Sequence, residues 1–162
     1  MALTKDEVYY KLQDIKNHVD PTSKYYGRLL EWKDADYFGV LHYGIGLSDN
    51  KICSGGHYVT FDRKWNPDAR IINEDISFEP YVVINRLYAA IEAFKDWDYS
   101  IFGWNCEHVA RLLAYNDPKC YQTIPVFFLC NQTRWGQHKT AKEYFQRYLE
   151  NHTSEYEAAL AI

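Results

Sequence analysis

Between Leu41 and Leu47 every second residue is apolar: Leu41, Tyr43, Ile45 and Leu47 alternate with His42, Gly44 and Gly46. A period of two places the apolar set on one face of an extended strand and the histidine and glycines on the other. A helix would scatter the same residues around its axis. Ser48-Asp49-Asn50 follows as a turn signal, and Lys51 to Ser54 returns as a hairpin partner. The chain is therefore committed to an antiparallel pair, its first strand read from Phe38 to Leu47.

The other segments are placed around that hairpin. Thr4 to Val19 reads as a helix, with Thr4 as cap, Glu7 three residues on, and Val8, Leu12, Ile15 and Val19 at helical spacing; Pro21 ends it. Gly27 to Trp32 reads as a short strand, as do Tyr58 to Phe61, after Gly55-Gly56, and Ala69 to Ile72, after the turn at Asn66-Pro67-Asp68. Pro80 opens a helix with a stripe of Val83, Leu87, Ala90, Ile91 and Phe94. Tyr99 to Phe102 is a short extended piece. Asn105 caps a helix from Cys106 to about Tyr115, which turns Val109, Leu112 and Leu113 inward and stops at Asp117-Pro118. Thr123 to Cys130 reads as buried strand or irregular core. Lys139 to Leu149 is a last helix whose mixed charges mark a solvated face, and residues after Asn151 are expected to fray. A helix, a cluster of antiparallel strands and then helices defines an α+β domain, a small antiparallel sheet packed against helices. With no repeat and no linker in 162 residues, the expectation is a single domain, 1–162.

Charge and cysteine usage exclude several functions. A net charge of -4 argues against a nucleic-acid partner, which needs a clustered basic surface. The longest apolar stretch, near Val126 to Cys130, falls far short of the roughly 20 residues of a transmembrane segment. The N-terminus lacks a secretory signal, so the reading is a cytoplasmic protein with reduced thiols. Cys53, Cys106, Cys120 and Cys130 form no C-x-x-C pair and no repeated Cys/His spacing, so no metal and no cofactor are expected. Cys120 and Cys130 read as buried. The aromatic content of 17% reads as a Tyr-rich core and rim, with Tyr43, Trp104 and Trp135 as alternatives for the wall of a cleft.

Two places could carry chemistry. His42 shares its strand face with Gly44 and Gly46, and glycines within a strand mark a close approach by another group. Alone, His42 reads equally as a polar residue on a solvated face. Cys106 falls in the first turn of its helix, where unpaired N–H groups and the helix dipole favour a thiolate, the nucleophilic form. Its other reading is a small buried side chain. Glu107 would oppose a nearby thiolate and is expected to point away from it. His108 lies about 100° around the helix from Glu107 and a further turn of angle from Cys106, so it reads as a supporting residue and not as the base.

Together, His42-Tyr43-Gly44-Ile45 and, about sixty residues on, Asn105-Cys106-Glu107-His108 resemble the lecithin retinol acyltransferase-like (LRAT, NC-domain) family, a circularly permuted relative of the NlpC/P60 papain-like thiol enzymes. The resemblance covers about residues 27–125 and includes the Tyr99 to Cys106 approach; an N-terminal helix and a C-terminal helical extension lie outside it. It implies an acyltransferase or hydrolase in which Cys106 attacks a carbonyl and holds the acyl group as a thioester, and His42 is the general base. It implies a small-molecule or lipid-like acyl substrate, with the Cys106 N–H at an oxyanion site and Asn105 and His108 in support. The flanking segments could bind a protein partner. The family's membrane-bound members use an apolar anchor that this chain lacks, which implies a soluble or peripherally associated protein.

One departure matters. Active members carry a second histidine about a dozen residues after the first, where this chain has Ser54. His57 could replace it, a Cys-His dyad with Ser54 as weak orienter could suffice, or the protein could be a catalytically weakened binding module. A second family, the permuted papain-fold desumoylating isopeptidases (PPPDE), uses only a histidine and a cysteine; Ser54-Gly55-Gly56 is similar to its Gly-Gly feature, but Glu107 departs from its cysteine motif.

Overall fold

The alternation at residues 41–47 becomes the central strand of a five-stranded sheet. The computed structural model describes residues 2–33, 41–55, 59–62, 68–73, 78–97, 104–121 and 139–160. Strands β1 (Leu29–Lys33), β2 (Leu41–Ser48), β3 (Lys51–Gly55), β4 (Val59–Asp62) and β5 (Arg70–Ile71) lie in the order β4-β3-β2-β1-β5, and every neighbouring pair is antiparallel. Asp49-Asn50 makes the expected β2–β3 turn. With helices α1 (Lys5–Lys16), α2 (Pro80–Ala93), α3 (Cys106–Tyr115), α4 (Lys139–Asn151) and α5 (Thr153–Tyr156), the architecture is α+β. Phe38, His57, Tyr99, Cys130, Trp135 and the apolar run at 123–130 lie outside the described residues.

Both faces of β2 are covered. Leu29, Tyr43, Ile45, Leu47 and Cys53 join the main core with the helices. Leu30, Trp32 and Ile52 form a small cluster with Tyr25, Ala69 and Ile71 on the opposite face. The His42 face is therefore packed, not the solvated surface that a half-buried strand pattern suggests. The glycines explain why. A Cβ on Gly44 would stand 2.6 Å from Ile52 Cγ2, and one on Gly46 would overlap the Tyr25 carbonyl. What approaches closely is the protein's own chain.

The helices stack outward from the sheet. α3 lies across β2 and β3, and α2 packs on α3 and against α1, α4 and the tail. Its burial extends well beyond the expected stripe, to Val82, Ile84, Ala89 and Ala93, as befits a helix covered on most sides. α1 has the Thr4/Glu7 capping box, but it ends at Lys16 rather than Val19. The chain turns there, because the Asp20 N–H donates to the Leu47 carbonyl at 2.8 Å and ties the connection to the sheet.

The tail corrects a second expectation. Residues 152–160 do not fray: α5 and a 3-10 turn (Glu157–Leu160) bury Tyr156 and Ala159. Their anchor is Arg86 on α2, which is 0% exposed. Its guanidinium donates to the carbonyls of Leu112 at 2.8 Å, Leu113 at 3.1 Å and Ala159 at 3.2 Å, and to Asn116 Oδ1 at 3.0 Å. It also lies over the rings of Phe78 and Phe145, at 4.6 and 5.0 Å. Burial lowers its pKa to about 9, which leaves it charged at neutral pH against the negative end of α3.

Arg86→Met, which strands these acceptors, is expected to lower the unfolding free energy by about 3 kcal/mol in urea titrations, against about 0.5 kcal/mol or less for Arg147→Met on exposed α4 surface. Gly46→Ala is expected to cost about 2 kcal/mol in the same assay, because backbone must move to admit the methyl group.

Candidate functional site

The helix that carries Cys106 is fixed by its first residues. Asn105 is the N-cap: its Oδ1 accepts from the N–H groups of Glu107 at 3.1 Å and His108 at 3.2 Å. The His108 Nδ1 accepts in turn from the Asn105 N–H at 3.3 Å, closing a reciprocal capping box. His108 is buried and its ring stacks on Trp104. It holds the helix start. Trp104 belongs to an aromatic cluster with Phe94 and Trp97 rather than to a cleft wall. Asn105 Nδ2 donates to Cys120 Sγ at 3.5 Å, so the amide is engaged at both ends.

Cys106 is 5% exposed at the first position of α3. The backbone amides of Tyr43 on β2, of Glu107 and of Cys106 itself act to lower the pKa of its thiol. These contacts favour the thiolate, as the helix-terminus argument anticipates, but they do not dominate. Burial pushes the thiol pKa up to about 11, and the Glu107 charge adds to the rise. Desolvation outweighs the helix terminus, and the thiol is protonated at neutral pH. Cys53, in the main core, is pushed up to about 12 by burial.

The same residue of β2 receives Ser54. Its hydroxyl donates to the Tyr43 carbonyl at 3.0 Å, and its Cα pairs with Gly44. Cys106 and Ser54 thus both converge on Tyr43, the residue after His42. The register puts the His42 side chain on the other face from the Tyr43 ring, where it stacks on Trp32 at 5.8 Å with its Nε2 atom buried.

Glu31, Arg70 and Arg111 were not singled out by the sequence reading. Tyr43 donates to Glu31 Oε2 at 2.6 Å, and Glu31 Oε1 accepts from Arg70 Nε at 2.8 Å and Nη2 at 2.6 Å. Burial, then the Glu31 hydrogen bond, raises the Tyr43 pKa far above its ordinary value, so the phenol stays protonated. Glu107 is 0% exposed and does not reach solvent: it accepts from Arg111 Nε at 2.9 Å, from Cys120 Sγ at 3.2 Å and from the Tyr121 N–H at 3.1 Å. Its partner was legible, since residues four apart on a helix are neighbours. Glu31 was not, because its pairing with Tyr43 exists only once the β1–β2 register is known.

Among the described residues, no group of three or more His, Cys, Asp or Glu side chains is placed to hold a metal ion, and no helix is long and apolar enough to cross a membrane. No family model, curated protein or solved structure matches the chain.

The raised thiol pKa has a measurable consequence. Below about pH 8 the thiol is neutral in both native and unfolded chains; as pH rises toward 11 the unfolded chain ionises and the native one resists. The stability of the wild type relative to Cys106→Ala is therefore expected to be flat below about pH 8 and to fall by about 2 kcal/mol by pH 11, read from urea midpoints.

Proposed function

We propose that this chain is a thiol-dependent acyltransferase or hydrolase of permuted papain-like fold, acting on a lipid-like ester or amide. The observation that carries the reading is the packing of α3, a capped helix headed by Cys106, against β2, the strand that carries His42. To act as the base, the His42 imidazole leaves its stack on Trp32 and turns to the Cys106 side of β2, where it takes the thiol proton as sulfur attacks the carbonyl carbon. The tetrahedral oxyanion is met by the Cys106 N–H. Collapse breaks the bond to the leaving group, which takes the proton from His42, and leaves a thioester on Cys106. Water or an acceptor alcohol or amine then attacks the thioester and gives up a proton to His42; the acyl product is released and the departing Cys106 sulfur takes that proton back. Ser54, its own proton directed to the Tyr43 carbonyl, has lone pairs to accept from the imidazole N–H and so to orient it.

A second reading, a binding module that keeps the pocket without turnover, draws on the strongly raised thiol pKa and on Ser54 where active relatives have histidine. The isopeptidase alternative is tested alongside it. A fluorogenic ester is to be incubated with the protein, with and without an acceptor amine, and followed by intact-mass spectrometry. The expected result is a covalent acyl adduct on the wild type and none on Cys106→Ala, with acylation slowed about 100-fold or more in His42→Ala. Amine-containing product marks a transferase. Cleavage of a C-terminal diglycine substrate without ester turnover would replace this reading by the isopeptidase one; no adduct with any substrate would leave the binding module.

A further inference from the structure

A fully buried carboxylate follows Cys106 directly along α3. Buried carboxylates hold their charge only when paired, and Glu107 is paired by Arg111, whose side chain is itself only 7% exposed. The guanidinium cannot swing to water: it lies over the ring of Tyr121 at 4.6 Å and over that of Tyr43 at 5.7 Å. The other titratable groups near the thiol are accounted for on each neighbouring element. On β2 the Tyr43 phenol is bonded to Glu31, and His42 stacks on Trp32 across the sheet. On β1 and β5 the Glu31 charge is met by Arg70. On α3 His108 Nδ1 is bound to the Asn105 N–H, and beyond α3 the Cys120 thiol donates to Glu107. Among the described residues, the charged group that adjoins Cys106 along α3 is the Glu107 carboxylate, and Arg111 is its cationic partner.

We infer that Arg111 is a positioning residue for Cys106: by holding Glu107 in a locked, neutral pair, it keeps an uncompensated negative charge from the sulfur and lets the thiol give up its proton. The inference deepens the proposed thiol chemistry and rests on it for its functional meaning, but its test does not need turnover.

The rate of iodoacetamide labelling of Cys106, assigned by peptide mass spectrometry, is to be measured against pH in the wild type, Arg111→Gln, Arg111→Lys and the double variant Glu107→Gln/Arg111→Gln. Arg111→Gln is expected to move the profile to higher pH by about one to two units, roughly 10- to 100-fold slower labelling at a fixed pH below the transition. Arg111→Lys restores most of the rate. The double variant, which removes both charges, returns to within about threefold of the wild type. An Arg111→Gln profile that matches the wild type overturns the inference. So does a double variant as slow as Arg111→Gln, which would mark a packing role. Should Arg111→Gln fail to fold by circular dichroism, the double variant decides: a wild-type profile supports the inference and an alkaline shift overturns it. A shifted profile in a protein that forms no acyl adduct would sink the catalytic reading and leave this one standing.

Discussion

The site depends on one helix being fixed at both ends by buried polar groups. At the N-terminus of α3, Asn105 and His108 satisfy one another and the first free amides. At the C-terminus, Arg86 covers the carbonyls of Leu112 and Leu113 and ties in Asn116, which caps the helix in the left-handed conformation at φ 55°. A helix of ten residues has little stability of its own in water. Its place is set by these contacts and by the apolar face it lays on β2 and β3. Because Arg86 also binds the Ala159 carbonyl, the C-terminal segment is coupled to the helix that presents Cys106. A change far from the sulfur, in the last helical turns, reaches the site through one guanidinium.

Around the sulfur two opposing effects can be ranked. Backbone amides and the helix terminus favour the thiolate; loss of water and the buried Glu107 charge oppose it. Burial is the largest contribution, so the resting state is a thiol. That fits a mechanism in which proton removal and attack occur together and disfavours a preformed ion pair. It also shows why a helix-terminal cysteine is an incomplete argument for reactivity. The dipole acts on any group placed there, but desolvation scales with how completely the neighbours close over it.

Around that sulfur the structure builds a layer of polar contacts that a core normally excludes. Arg70, Glu31 and Tyr43 form one run from the surface inward, and Arg111, Glu107 and Cys120 form another under the helix start. Each run is internally satisfied, which is the condition under which buried polar groups are tolerated. They meet where the Arg111 guanidinium lies over the Tyr43 ring.

Local pattern was enough to place the elements. The alternation at 41–47 gave a strand, Ser48-Asp49-Asn50 its turn, Thr4 with Glu7 a helix start, and Asn105 the cap that puts Cys106 in a first turn. These are short-range effects, set by residues within a few positions of each other. Chain distance hid the rest. That the His42 face is packed, that Glu31 meets Tyr43, that Arg86 spans 73 residues to reach Ala159, and that the tail docks instead of fraying all require partners that periodicity cannot name. The same holds for the thiol: its position in a helix is a local fact, but its protonation state is fixed by how deeply the assembled sheet and helices remove it from water.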